Sequence, residues 1–139
     1  MRSQKETPVK ISELKPGMDN VTVRVRVLEA EAPRVIETRR GPRTISEAVV
    51  GDETGRVKLT LWGRAAGTLS EGEAVEIQGA WTTNYRGNVV LNVGGRGGIR
   101  RLDDSEAPQP EEVPEETPKA SWQRRGRRRL GEFQRRQRY

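Results

Sequence analysis

The sequence predicts an all-β fold, and three observations support this prediction. Apolar residues alternate with threonine, lysine and arginine in residues 21–28 and again in residues 56–62. Alternation with a period of two is typical of a strand that buries one face. Turn-forming residues separate such segments, with Asp-Glu-Thr-Gly at 52–55 and Arg-Gly-Asn at 86–88. The apolar segments are also short and follow one another closely, as in a chain of hairpins.

These segments predict five strands within roughly the first 100 residues. The strands are residues 21–28, two strands within 44–63, residues 73–85 and residues 89–93. Between and after them we expect a long loop or frayed hairpin at 33–42, a brief connector at 64–72 and a return to the sheet at 99–102. A β-sandwich usually needs about seven strands. Five strands favour the small, partly open Greek-key barrel known as the OB-fold.

Charge divides the chain into segments. Residues 1–102 hold 17 basic and 12 acidic residues, residues 103–118 hold seven acidic and no basic ones, and residues 119–139 hold nine basic and one acidic. We therefore predict a flexible N-terminus at 1–8, an OB-fold domain at 9–102, an extended acidic, proline-rich linker at 103–118 and a disordered arginine-rich tail at 119–139. The isoelectric point near 10.3 favours a polyanionic partner over solubility alone as the reason for this charge.

The sequence contains no cysteine and no histidine. This excludes disulfides, zinc–thiolate sites and histidine general-base catalysis, so we expect no enzyme, no cofactor and no metal. Asp52 and Glu53 could serve a metal-dependent nuclease, but they stand in a turn that explains them structurally. We find no signal peptide and no transmembrane stretch. We therefore expect a soluble cytoplasmic protein.

Three of the six aromatic residues fall in the predicted barrel, namely Trp62, Trp81 and Tyr85. Alternation turns Trp62 outward, on the same face as Lys58. Simple alternation places Trp81 on the core face of its strand, but a bulge at Gly79 would turn it outward, and the pattern leaves both open. Tyr85 stands beside a hairpin turn, where it either stacks on a ligand or covers the barrel end. Exposed rings beside cations stack nucleobases and neutralise phosphates.

The cationic residues cluster where an OB-fold binds its ligand. That surface is the outer face of the second and third strands, with the loop between strands one and two and the loop between strands four and five. Taken singly, each cation is more often a solvated surface charge. Taken with the rings, they give a set of candidate nucleic-acid-binding residues: Arg34, Arg39, Arg43, Lys58, Thr60, Trp62, Arg64, Trp81, Thr83, Tyr85 and Arg86.

Three stretches carry a family resemblance: VTVRVRVLEA at 21–30, RTISEAVVGDETGRVKLTLWG at 43–63 and GAWTTNYRG at 79–87. Residues 14–102 resemble the short single-stranded DNA-binding proteins of archaea, human single-OB-fold relatives and, more distantly, an OB domain of replication protein A. The resemblance implies that Trp62, Trp81 and Tyr85 stack on successive bases, which turns Trp81 outward. It also implies an accessory contact from Ile36 in the loop between strands one and two.

The resemblance further implies sequence-tolerant binding of single-stranded DNA in replication, recombination and repair, and we expect a monomer. In that family a flexible C-terminal tail recruits replication and repair proteins. Here the chain ends basic, so we hypothesise that the tail adds a second nucleic-acid contact and that the acidic linker keeps it off the barrel. Two alternatives stay open. One is single-stranded RNA binding, because nothing in the sequence reads a 2′-hydroxyl, and the other is a protein-interaction adaptor.

Overall fold

The computed structural model describes residues 8–95 and 98–119, in which β-strands dominate. The strands are β1 Val21–Ala30, β2 Arg34–Thr38, β3 Gly41–Asp52, β4 Gly55–Trp62, β5 Ala74–Tyr85, β6 Asn88–Val93 and β7 Gly98–Arg101. Short 3₁₀ turns cover Ile11–Glu13, Gly63–Ala65, Asp104–Glu106 and Pro110–Glu112. The flexible N-terminus predicted at 1–8 and the disordered tail predicted at 119–139 lie outside the described residues, except for Pro8 and Lys119.

Five of the strands close into a barrel. The pairing runs from β1 to β3, β4, β6 and β5, and β5 returns to β1. Every pairing in this ring is antiparallel except that of β4 with β6, which is parallel. The prediction of a five-stranded OB-fold barrel is therefore confirmed, with its strands at β1, β3, β4, β5 and β6.

The other two strands extend the sheet beyond the ring. β2 pairs only with β3, so the segment predicted as a long loop or frayed hairpin is a hairpin of five register pairs. β7 pairs with the first half of β5, from Val75 to Gln78, which confirms the predicted return of the chain to the sheet. The barrel thus carries a hairpin on one side and a short closing strand on the other.

The barrel interior is aliphatic. Val57, Leu59 and Leu61, which alternation placed inward, are each at most 1% exposed. Around them, the buried cluster in the described chain consists of valine, leucine, isoleucine and alanine. Burying each such valine or leucine side chain contributes about 1.5–3 kcal/mol. The barrel needs no aromatic ring for its core, so the rings lie at its surface.

A β-bulge in β5 decides the direction of Trp81. Val23 of β1 pairs with Ile77, whereas Val21 pairs with Ala80, so β5 contains one residue more than its partner over this interval. Gly79 has a φ of +70°, a left-handed conformation that glycine adopts without steric cost. The extra residue turns Ala80 into the core, where it is fully buried. Trp81 consequently lies on the outer face.

Residues 103–119, which we call the strap, pack against the outside of the barrel. Val113 is only 5% exposed, and backbone hydrogen bonds join Glu116 to Arg56 and Pro118 to Val89. The segment predicted as an extended acidic linker at 103–118 is thus docked on the barrel. Composition correctly gave the charge and the prolines, but it did not reveal that arginines of distant strands hold the segment.

Candidate nucleic-acid interface

The outer faces of β4, β6 and β5 form one continuous surface. Thr60 on β4 lies beside Asn92 on β6, and Asn92 lies opposite Trp81 on β5. Two residues away along their strands, Trp62 and Thr83 share this face. Both indoles are partly exposed. Two strands that are distant in sequence thus present their tryptophans side by side.

Asn92 connects the residues of this surface by hydrogen bonds. Its side-chain oxygen accepts a hydrogen bond from Nε1 of Trp62 at 3.1 Å. Its amide nitrogen donates to Oγ1 of Thr83 at 3.2 Å and lies 3.4 Å from the carbonyl oxygen of Trp81. Asn92 is itself only 4% exposed. A buried amide with donors and acceptors satisfied fixes the groups it contacts, so the Trp62 ring is held before any ligand arrives.

A groove of about 580 Å³ runs between the two indoles. Its lining residues are Arg43, Trp62, Gly63, Arg64, Trp81, Gly94 and Gly95. Cζ of Arg43 lies 5.6 Å from the centre of the Trp62 ring, within the range of a cation–π contact. A Cβ atom on Gly94 would lie 3.4 Å from the Trp81 ring, an ordinary van der Waals distance, so Gly94 lies directly against this ring. The groove therefore combines flat apolar faces with two guanidinium groups.

Tyr85 and Arg86 continue the surface at the turn between β5 and β6. Arg86 and Gly87 have φ values of +54° and +87°, the pattern of a type I′ turn, which matches the twist of a hairpin. The Tyr85 side chain is 57% exposed. Cζ of Arg86 lies 5.1 Å from the centre of its ring. A third exposed ring with an adjacent cation thus stands on the face of Trp81 and Thr83.

The β2–β3 hairpin borders the opposite side of the groove. Ile36 lies directly across from Arg43, so it stands on the groove-facing side of the hairpin. Arg39 is exposed in the two-residue turn at the hairpin tip. Arg34 lies across from Ile45, whose other neighbour is Trp62. The hairpin is thereby placed to reach over a ligand that occupies the groove.

Glu47 is an acidic residue on this otherwise basic face. Its carboxylate lies 3.3 Å from Nη2 of Arg34 and 3.8 Å from Nζ of Lys58. In the barrel wall it lies opposite Thr60. Two of the predicted cations are therefore engaged with a carboxylate in the free protein.

The structure brings the predicted residues together as one surface. Arg43, Trp62, Arg64 and Trp81 line the groove, whereas Lys58, Thr83, Tyr85 and Arg86 extend it along β4 and β5. Arg34, Ile36 and Arg39 lie on the hairpin. Thr60 differs, because only 9% of it is exposed, which leaves little of its side chain available to a ligand.

Sequence reasoning missed Asn92, Glu47 and Gly94. Alternation along β6 does place Asn92 outward between the inward Leu91 and Val93, and an amide flanked by apolar residues within a strand is a usable signal. Glu47 gave no signal, because one acidic residue among many on a surface is common. The position of Gly94 under the Trp81 ring depends on the tertiary structure alone.

Asp52 and Glu53, the carboxylates considered for a nuclease, have structural partners. Asp52 is buried, and its two oxygens accept hydrogen bonds from the backbone nitrogens of Ile11 at 3.0 Å and Thr54 at 2.8 Å. Glu53 pairs with Lys10, and this hydrogen bond holds the pKa of Glu53 below its ordinary value. Within residues 8–95 and 98–119, no group of three or more acidic, histidine or cysteine side chains could hold a metal ion.

The 3₁₀ turns of the described chain are all too short to be membrane spans; no helix here is long and apolar enough to cross a bilayer.

The chain is similar to proteins that are already known. Residues 14–101 match the family described as single-stranded DNA binding protein Ssb-like, OB fold. Over 117 residues the chain is 53% identical to the single-stranded DNA binding protein Ssb of Saccharolobus solfataricus, covering 84% of this chain and 79% of the relative.

Solved structures are similar in fold. The second OB-fold domain of replication protein A from Methanococcus maripaludis superposes with a TM-score of 0.59 at 23% identity, over 70% of this chain and all of that domain. A replication protein A heterotrimer bound to single-stranded DNA gives a TM-score of 0.60 at 19% identity, over 73% of this chain and 26% of that one.

Proposed function

Because the chain belongs to the family of Ssb-like single-stranded DNA-binding proteins with an OB fold, we propose that it binds single-stranded DNA with little dependence on base sequence. Its role is to coat and protect strands exposed in replication, recombination and repair, at the nucleoid. It acts by binding rather than by catalysis.

One observation carries this proposal. Trp62, Trp81 and Tyr85 stand on a single outer face of a barrel whose core is aliphatic, and cations border that face at both ends. Stacking of a base on an aromatic side chain contributes about 1–3 kcal/mol per base and accepts any base. Because stacking on three rings accepts any base, it favours sequence-tolerant binding.

The surface also suggests how a strand lies. Bases stack on Trp62 and Trp81 across the groove and continue to Tyr85, while Arg43, Arg64 and Arg86 neutralise phosphates. Ile36 closes over the bases from the hairpin, and the barrel covers about 4–5 nucleotides, the low end for an OB-fold. The cations Arg34, Arg39 and Lys58 lie at the margin of this path.

Titration with oligo-dT while following tryptophan fluorescence tests the proposal. We expect quenching on binding and a log–log salt slope of about −3 if four or five phosphates are neutralised. Trp62→Ala and Trp81→Ala should each weaken binding by about 1–3 kcal/mol. Absence of quenching and of salt dependence would contradict the proposal and favour a protein-interaction adaptor. Competition of oligo-U against oligo-dT separates RNA from DNA preference, because stacking alone does not distinguish them.

A further inference from the structure

The first residues of β4 and β6 lie at the barrel end that carries Tyr85. β4 begins at Gly55 and β6 at Asn88, but the two strands pair only from Lys58 and Val90 onward. Their first residues therefore do not hydrogen-bond to each other. Because a backbone N–H group that is buried without a partner is costly, this opening needs another segment to supply acceptors.

Residues 116–119, which we call the strap end, occupy this opening. At the start of β4, the backbone N–H of Arg56 donates to the carbonyl oxygen of Glu116 at 2.9 Å. In β6, the backbone N–H of Val89, a buried residue, donates to the carbonyl oxygen of Pro118 at 3.2 Å. The strap end therefore completes the sheet at the corner where the two parallel strands separate.

The start of the strap is held separately, by a buried arginine of β1. Arg26 is only 2% exposed. Its guanidinium donates to the carbonyl oxygens of Pro108 at 2.8 Å and Ala107 at 3.2 Å, and to the Asp104 carboxylate at 2.6 Å. Because a buried cation is costly to leave unpaired, this part of the strap stays docked when the strap end is released.

The middle of the strap is fixed on the β3–β4 hairpin. Val113 is buried, and a Cβ atom at Gly51 would stand 2.4 Å from its Cγ1. A Cβ atom at Gly55 would stand 2.7 Å from the backbone oxygen of Glu116. Nε and Nη2 of Arg56 donate to two backbone oxygens of the strap, each at 3.0 Å. These contacts determine where the strap end meets β6.

The strap end stands beside the third ring of the candidate site. Lys119 forms an antiparallel bridge with Asn88, and its Nζ donates to the Asn88 side-chain oxygen at 3.0 Å. Asn88 lies directly across from Tyr85. Tyr85 is the last residue of β5 and its side chain is exposed, so the pairing with Asn88 holds its backbone in the sheet. Fraying at Asn88 would leave the ring without a fixed direction.

We propose that the docked strap end positions Tyr85 for stacking on a base, which makes Val113 and Arg56 positioning residues for the binding of single-stranded DNA. This rests on the proposed function. A ring at the frayed end of a hairpin loses conformational freedom when a ligand binds, and this loss weakens binding. Because the strap end holds Val89 and Asn88, the Tyr85 ring is ordered before DNA arrives.

The neutral full-length variant Val113→Asn tests the proposal. It buries an amide against Gly51, which favours release of the strap end, and Val113 does not line the groove. We expect faster hydrogen exchange of the Val89 backbone N–H. Affinity for oligo-dT, measured by the tryptophan fluorescence titration, should fall about two- to tenfold. Val9→Asn makes the same change in another segment that packs on the barrel and should leave affinity unchanged.

Double-mutant cycles separate positioning of the ring from a general loss of stability. If the strap acts through Tyr85, Val113→Asn should add no further loss of affinity to that of Tyr85→Ala. The losses from Val113→Asn and Trp62→Ala should instead multiply, because these residues act independently. Arg56→Lys keeps the positive charge but loses the planar fork of donors, so it should behave in the same way as Val113→Asn.

The outcomes distinguish this proposal from the proposed function. If the native chain binds oligo-dT and both strap variants bind it equally well, the proposal is overturned and the proposed function stands. Losses that multiply with Tyr85→Ala as they do with Trp62→Ala would also overturn the proposal, because the strap would then act on the whole barrel. Failure of the native chain to bind oligo-dT would instead contradict the proposed function.

Discussion

At the scale of single residues, Asn92 holds the Trp62 indole in place and contacts the backbone of Trp81. Replacing it by alanine leaves Nε1 of Trp62 and Oγ1 of Thr83 without their described partner. We expect a loss of unfolding free energy of about 1–3 kcal/mol, because partly buried polar groups lose their hydrogen bonds. Asn92 orders the Trp62 ring before DNA binds. For each kcal/mol that this ordering contributes to the binding free energy, the affinity for oligo-dT should fall about fivefold in the variant.

Gln78→Ala is the matched control for Asn92→Ala. Gln78 is also an amide residue of the sheet, but it pairs with Gly98 on β7, away from the groove. Its replacement should leave affinity unchanged. Equal binding by the Asn92→Ala protein, measured by the same fluorescence titration, would show that the tryptophans do not depend on this amide.

Glu47 yields a prediction of opposite sign. Its carboxylate pairs with Arg34 and Lys58, and each such surface pair is worth about 0.2–1 kcal/mol. In Glu47→Gln Lys58 becomes available to phosphate, whereas Arg34 keeps its second carboxylate partner, Glu31 at 3.8 Å. Affinity should therefore rise about twofold and the salt slope should steepen. Glu37→Gln on the exposed hairpin strand is the control and should change neither. Weaker binding by Glu47→Gln would instead indicate that the carboxylate accepts hydrogen bonds from bases.

At the scale of elements, the bulge of β5 controls which face Trp81 occupies. Gly79→Ala places a side chain at a φ of +70°, which costs about 1–3 kcal/mol for a non-glycine residue. We expect a lower midpoint of denaturant unfolding and weaker binding, because removal of the bulge would turn Trp81 toward the core. Gly98→Ala is the control, since open space surrounds its Cβ position. A Gly79→Ala protein with unchanged midpoint and affinity would contradict this account.

The elements also show what could be read from the sequence. Inward Val57, Leu59 and Leu61 were predictable, because alternation along a strand is local. The outward turn of Trp81 required knowledge of register, which depends on how β5 pairs with β1, and the residues alone left it open. The sequence likewise left open whether residues 33–42 form a loop or a hairpin. The five residues of β2 pair only with β3, so β2 carries little of the barrel's apolar pattern.

The strap could not be predicted, for a different physical reason. Charge and proline content argue correctly that residues 103–118 bury little apolar surface. Their attachment comes instead from Arg26 and Arg56, which belong to strands far away in the sequence and donate to strap backbone oxygens. Composition does not report such long-range hydrogen bonds. The same reason hid Glu47, whose partners Arg34 and Lys58 lie on other strands.

At the scale of the whole molecule, carboxylates paired with arginine join the outer elements to the barrel. The Asp104 carboxylate accepts a hydrogen bond from Arg26, which lowers its pKa below the ordinary value. Burial raises the pKa of Glu76 on β5, but hydrogen bonds from Arg100 of β7 and Arg24 of β1 outweigh burial and lower it overall. These pairs fasten the strap to β1, and β7 and β1 to β5.

The free energy of unfolding should therefore vary with pH in the acid range. A carboxyl group whose pKa is lower in the folded than in the unfolded chain binds fewer protons when folded. Its contribution is fully present above the unfolded value, about 3.9 for Asp and 4.3 for Glu, and is lost as pH falls through the folded value. We expect the unfolding free energy to be level near neutral pH and to decline below about pH 4.

The strap part of this decline can be isolated with Asp104→Asn. The asparagine side chain keeps an oxygen near Arg26, but it carries no charge at any pH. The variant should therefore have a lower free energy of unfolding than the native chain at neutral pH, and this difference should shrink in acid. Denaturant unfolding at a series of pH values measures the difference, and cleavage by a Glu-specific protease at 115–116 reports strap release. A constant difference between the two proteins at every pH would show that the Asp104 charge does not hold the strap.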